Sequence, residues 1–113
     1  MAKFRFAQWL WDGLFALEEF LFEWDEGNAT KSQEKHRITC SEAEEVFTCR
    51  RFVPLGEQVQ PRAPEARFAV LGEAAGGRLL FLAFTLRHRT IRVISARAMN
   101  EKERKLYAAL RQE

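Results

Sequence analysis

Four arginines crowd one end of the chain. Arg87 and Arg89 precede the stretch TIRVISARAMNEKERKLY, residues 90–107, and Arg92 and Arg97 lie within it. Their neighbours are apolar, and a guanidinium is costly to bury unless something pairs with it. A planar guanidinium grips two oxygens of a phosphate or carboxylate at once and stays charged. Earlier in the chain, Lys35 and His36 stand side by side at the end of a polar segment. An imidazole with its ordinary pKa near ~6.5 takes or gives a proton at neutral pH. It also suits the last carbonyls of a helix, and His36 taken alone does not choose between these roles. His88, set between Arg87 and Arg89, reads as a solvated turn residue.

The whole-chain charge of +2 conceals a gradient. Residues 1–26 hold two basic and six acidic side chains, a net −4, whereas residues 77–113 hold nine basic and three acidic, a net +6. A cationic end suits a polyanion such as nucleic acid, although a solvated charged surface gives the same pattern. Cys40 and Cys49 form neither a disulfide framework nor a zinc pattern. They read as reduced thiols of a cytoplasmic protein, and no metal or cofactor is expected. Asp12, Glu18 and Glu19 interrupt the aromatic N-terminus too often for a membrane span or a secretory signal. No helix-turn-helix pattern or zinc motif points to DNA reading by this chain itself.

The elements that must position these groups follow from periodicity. Leu10, Leu14, Leu17 and Leu21 recur at helical spacing within the first twenty or so residues, while Phe4 and Phe6 permit a short strand before them. Such a helix packs on its own domain or on a second copy of the chain, which leaves a homodimer open. LFEWDEG reads as a short strand entering a turn, and Asn28 to His36 as an exposed polar helix. Thr39 with Glu42 three residues on is a capping box for a helix that buries Ala43, Val46 and Phe47. Residues 54–64, PLGEQVQPRAP, carry all three prolines and read as an irregular loop. Then ARFAVLG, RLLFLAFTLR and TIRVISAR alternate with the turns EAAGG and RHR, a run of three strands with the middle one covered on both faces. Asn100 and Glu103 repeat the capping box for a closing helix, 101–112, that buries Met99, Leu106 and Leu110 and carries a Glu101–Lys105 pair. The class is α+β: N-terminal helices, an antiparallel β-meander, and a C-terminal helix. Arg92 and Arg97 are five residues apart, so an unbroken strand would point them to opposite faces. The strand ends or bulges near Ser95, or the two serve different purposes, or one of them is structural. An end near Ala96 is the expected solution, because it turns Arg97 toward the face of Arg67.

FEWDEGN, EKHRIT, SEAEEVF, RFAVLG, GRLLFLAFT and IRVISAR followed by E-x-x-x-Y, in that order, resemble the BrnT-type toxins of bacterial toxin–antitoxin pairs. The likeness runs from Phe22 to Tyr107, which divides the chain into an N-terminal helical extension, 1–20, and a toxin-like domain, 21–113. It implies a small ribonuclease with a RelE-like fold. It implies also a cognate antitoxin with a ribbon-helix-helix domain, through which alone the complex would touch operator DNA. Carried over residue by residue, the motifs fall on Lys35, His36, Arg67, Gly72, Gly77, Arg78, Arg87, Arg92, Ser95, Arg97, Glu103 and Tyr107. Cleavage of RNA without a metal needs a group to take the 2′-OH proton, another to protonate the leaving 5′-oxygen, and positive charge on the phosphorane between. Lys35, His36, Arg67, Arg92 and Arg97 are the residues the resemblance assigns to that work. Arg78, Arg87 and Tyr107 are expected to bind RNA, the tyrosine by stacking on a base, although a half-buried core tyrosine fits its position equally well, and Glu103 to hold an arginine. The chain departs from the family at Asn28, Ser32, Arg37, Cys40, Ala98 and Met99. Asn28, Ser32 and Ala98 motivate the alternative, a catalytically weakened module that binds the antitoxin in operon autorepression.

Overall fold

The computed structural model describes residues 3–29, 36–60 and 64–111. Its elements, in chain order, are β1 (Lys3–Arg5), α1 (Gln8–Ala16), β2 (Leu21–Phe22), α2 (Glu26–Ala29), α3 (Cys40–Thr48), β3 (Phe52–Gln60), β4 (Phe68–Glu73), β5 (Leu79–Arg87), β6 (Thr90–Ala98) and α4 (Glu101–Arg111). The strands form one mixed sheet in the order β1-β3-β4-β5-β6-β2. β3 to β6 are an antiparallel meander, β1 adds antiparallel to β3, and β2 adds parallel to β6. The architecture is α+β, as the periodicity implies, with a parallel edge that the expected meander lacked.

Each face of the sheet carries a core. On one, Leu10 and Leu14 of α1 and Ala43, Val46 and Phe47 of α3 pack on Phe52, Val70, Leu80, Leu82, Phe84, Ile91 and Val93. On the other, Met99 and Tyr107 bring α4 down on Val53, Ala69, Leu71 and Phe81. β4 and β5 are therefore covered on both sides, which explains their near-continuous apolar runs. Residues 3–20 are built into this arrangement. Leu10 and Leu14 share one cluster with Phe47 and Phe84, and Arg50 donates to the carbonyls of Phe15 and Leu17 where α1 ends. α1 stops at Ala16, so Leu17 is its C-cap and Leu21 lies exposed in β2 instead of continuing a helical stripe.

Three expectations are corrected, and a fourth is met only in part by the described residues. The proline-rich stretch 54–64 is a strand as far as Gln60, while residues 61–63 lie outside the described residues. β1 pairs with β3 only over Glu57–Gln60, so Pro54 sits where its missing N–H deprives no β1 partner. The register shift between Pro54 and Gly56 accommodates its ring. The expected helix from Asn28 to His36 is described only in part, because residues 30–35 lie outside the description, and Asn28 is buried, 5% exposed. In α4 the buried residue is Tyr107, while Leu106 is 43% exposed. Finally, β6 does not end at Ala96 but runs to Ala98.

β6 solves the arginine problem by bulging. Ser95 pairs with Ala83 and Val93 with Phe84, which leaves Ile94 as one extra residue in the ladder. Ile91, Val93 and Ala96 all reach the α1/α3 core. Arg92 and Arg97, five residues apart, thereby share the other face.

If residues 3–22 belong to the cooperative unit, Leu14→Ala should lower unfolding free energy by about 2–5 kcal/mol, as for other deep core truncations. Urea denaturation measures this, and an unchanged midpoint would place α1 outside that unit.

Candidate functional site

Among the described residues, the sheet face that carries α4 is covered at one end and open at the other. At the open end the pairing Thr85↔Arg92 joins β5 to β6, and Phe68↔Phe84 places Arg67 beside Thr85 in the same cross-strand row. The Arg67 carbonyl accepts from Gln58 N–H at 2.7 Å, which fixes its backbone although it lies one residue before β4. Arg67, Thr85, Arg92 and the bulged Ile94 line a cavity of about 370 Å³, rimmed by Gly27 and Asn28 of α2 and by Glu65.

Asp25 organises the rim. Its Oδ1 accepts from Gly27 N–H at 2.8 Å and Asn28 N–H at 3.2 Å, while Asn28 Oδ1 accepts from Asp25 N–H at 2.7 Å. This reciprocal capping starts α2. Asn28 Nδ2 then donates to the carbonyls of Glu23 and Val93 at 3.0 and 2.9 Å, which ties α2 to β6 and explains why a polar residue is buried there. The same Asp25 carboxylate holds Arg92, with Nη1 2.8 Å from Oδ2 and Nη2 3.2 Å from Oδ1. The Arg92 guanidinium keeps the Asp25 carboxyl below the usual carboxylate range. Arg92 Nη1 lies 2.8 Å from Asp25 Oδ2 and 3.5 Å from Glu23 Oε2, ion-paired with both but aligned for a hydrogen bond with neither. Beside it, Thr85 Oγ1 is buried with no hydrogen-bond partner among the described residues. No ion pair of Arg67 occurs among the described residues.

The other candidate residues are placed elsewhere. Arg97 lies at the far end of β6, bidentate to Glu103 at 2.7 and 2.8 Å and stacked 4.1 Å over the Phe81 ring. It shares a face with Arg92 but not the cavity. Burial would raise the Glu103 carboxyl, yet hydrogen bonds from Arg97 and Asn100 outweigh it and the group titrates below its ordinary value. Arg78 binds Glu42 at 3.0 Å and the carbonyls of Arg37 and His36 at 3.0 and 3.4 Å. His36 is half-buried beside that contact, far along β5 from Thr85, and lines neither the cavity nor its neighbour. Lys35 lies outside the described residues. Arg87 is held by Glu65 at 3.0 and 3.1 Å and by Glu23 at 3.0 Å, and the Arg87 guanidinium lowers the Glu65 carboxyl. With His88 and Trp24 it borders a second, wider cleft of about 890 Å³, and Glu65 is common to both. Tyr107 is buried, its hydroxyl 3.1 Å from both the Arg51 carbonyl and Glu73 Oε1. Burial and the Glu73 carboxylate push it up to about 12. It fastens α4 to β3 and β4 and presents no ring for a base.

Sequence reasoning brought Arg67 and Arg92 together but passed over Thr85, Asp25 and Glu65. Thr85 left a signal, as the lone hydroxyl in the apolar run LLFLAFTLR. Asp25 left one too, three residues before Asn28 at a helix start. Glu65 left none, since its position depends on the β3–β4 connection.

Fold and cavity together define a small α+β protein with an arginine-lined cleft at the uncovered end of its sheet. Residues 24–103 match the family described as BrnT, the ribonuclease toxin of type II toxin–antitoxin systems, and the chain belongs to that family. It is thus a ribonuclease toxin, with RNA as substrate and an antitoxin as partner. No curated protein matches the chain. Among the described residues, no helix is long and apolar enough to cross a membrane.

Glu103 yields an acid-dependence with a definite sign. Its carboxyl titrates below 4.5 in the folded chain, so the stabilisation it gives is present above that value and drains as pH falls through the lower one. Melting temperatures of wild type and Glu103→Gln should therefore differ near neutrality and converge below about pH 4.5. A gap that stays constant would sever the link to this ion pair.

Proposed function

We propose that this toxin cleaves RNA without a metal, with Arg67 and Arg92 binding the scissile phosphate in the cavity between β4, β5 and β6. The observation that carries the reading is the pair of guanidiniums flanking one cleft, Arg67 without an ion pair among the described residues and Arg92 with a nitrogen, Nη1, that is ion-paired but not hydrogen-bonded there. In the reaction the ribose 2′-oxygen attacks phosphorus and the bond to the 5′-oxygen breaks. The 2′-OH proton passes to a base, and the leaving oxygen takes one from an acid. Both guanidiniums gain most at the phosphorane, where charge on the equatorial oxygens is greatest. Lys35 and His36 are the proton-transfer candidates carried by the family motif, although His36 lines neither the cavity nor the adjoining cleft and Lys35 lies outside the described residues. Arg87 and the adjoining cleft suit the next phosphate of the strand. Arg97, Arg78 and Tyr107 serve as positioning and packing groups, since each is bound within the fold and lines neither cleft.

The antitoxin in this reading carries a ribbon-helix-helix domain, and operator DNA is met only through it. Action is in the cytoplasm, where both RNA and antitoxin reside. A second reading, the weakened antitoxin-binding module, draws on Asn28, whose side chain is spent on the Glu23 and Val93 carbonyls. In the same direction, Asp25 already sits on Arg92.

Tightly induced wild-type protein should arrest growth and degrade RNA, and Arg67→Ala or Arg92→Ala should each reduce cleavage by on the order of 10²–10³. Circular dichroism controls for folding, since Arg92 also anchors Asp25. Intact RNA and normal growth with all three chains would favour the binding module.

A further inference from the structure

A hydroxyl in the middle of a sheet needs a partner, and Thr85 has none among the described residues. The residue is 2% exposed, in a strand otherwise built of leucine, phenylalanine and alanine on both faces up to Leu86. A buried hydroxyl without an acceptor costs stability that a valine of nearly the same shape would not. Its neighbours leave donor capacity on the same space. Arg92, its direct cross-strand partner, is ion-paired to Asp25 and Glu23 but its Nη1 is aligned for a hydrogen bond with neither, and Arg67, on the other side, has no ion pair among the described residues. All three line one cavity. Donors thus converge on a space where the described residues place one carboxylate pair at the rim and no acceptor for Thr85.

We propose that Thr85 is a direct contact to the RNA phosphodiester, its Oγ1–H donating to a non-bridging oxygen held between Arg67 and Arg92. The proposal rests on the ribonuclease reading above. The hydroxyl keeps its proton throughout, so no covalent step runs through it. A tetrahedral phosphate fits this set better than a planar carboxylate, because its oxygens diverge and can meet a fork on each side and a hydroxyl from the strand beneath. The cost of the orphaned hydroxyl in the free protein is then the structural trace of a site arranged for a ligand that supplies the missing acceptor.

The test uses the purified full chain, wild type against Thr85→Val, Thr85→Ser and Arg92→Ala. Three measurements are compared: melting temperature, affinity for a 2′-O-methyl oligoribonucleotide that cannot be cleaved, and cleavage of the unmodified oligonucleotide. Thr85→Val should melt at or above the wild type, yet bind and cleave about ten- to hundredfold less well, the loss expected for one hydrogen bond to a charged group. Thr85→Ser should keep binding and cleavage close to wild type. If Thr85→Val binds and cleaves like the wild type while Arg92→Ala does not, the hydroxyl is satisfied by water or serves packing; the proposal falls and the phosphate site stands. A Thr85→Val chain that melts well below the wild type also overturns it, because the hydroxyl then has a partner within the fold. If the wild type neither binds nor cleaves either oligonucleotide, the ribonuclease reading falls and the Thr85 contact with it.

Discussion

One extra residue in β6 governs what the rest of the molecule can do. Without the bulge at Ile94, a strand that places Ile91 and Val93 in the α1/α3 core would place Arg97 there too, and would expel Ala96. With it, the core receives Ile91, Val93 and Ala96, and both arginines emerge on the face that α4 only half covers. A shift of one residue reverses every side chain beyond it. The position of the bulge therefore decides at once the packing of the closing strand, the seat of α4 beside Arg97, and the arginine row next to Thr85.

Helix capping and arginine positioning are the same interaction seen from two sides. Asp25 caps α2 and holds Arg92; Glu42 completes the capping box of α3 and holds Arg78; Glu103 completes that of α4 and holds Arg97. A carboxylate at a helix N-terminus already accepts backbone N–H groups and is favoured by the helix dipole. Adding a guanidinium extends that network across to the sheet. The net +6 of residues 77–113 is consequently much less available than its size suggests. Arg78, Arg92 and Arg97 are each matched by a carboxylate from a helix start, and Arg87 by Glu23 and Glu65. Arg67 stands apart as a cleft-lining arginine with no such match among the described residues. A phosphate entering the cleft would meet Arg67 directly and compete with Asp25 for Arg92.

The N-terminal segment lies before the family match, which begins at residue 24, yet it is bound by close backbone contact. Gly56 adopts φ +119°, and a Cβ there would lie 2.0 Å from the Arg5 carbonyl oxygen. Only glycine lets β1 approach β3 so closely. Beyond it, α1 leaves Trp9 57% exposed while its edge packs on Phe68 at 5.3 Å.

Much of this was legible in residues that act locally. Thr39/Glu42 and Asn100/Glu103 announced two helix starts, EAAGG and RHR two turns, and the apolar run 79–86 a strand covered on both faces. Motif order implied the family, and the implied Arg67 and Arg92 do share one cleft. What stayed hidden depended on partners distant in sequence. Pro54 fits a strand because β1 does not extend to it, Asn28 is buried because Val93 offers a carbonyl, and Leu106 yields to Tyr107 because Glu73 and the Arg51 carbonyl lie beneath. Five-residue spacing posed the problem of Arg92 and Arg97 but could not say where the strand would bulge. By itself the sequence determined the helix starts, the turns, the last three strands and the family, since capping, turns and periodicity act over a few residues. The tertiary structure alone decided which arginines meet at a cleft and which are already paired, because facing and pairing are set by register across strands.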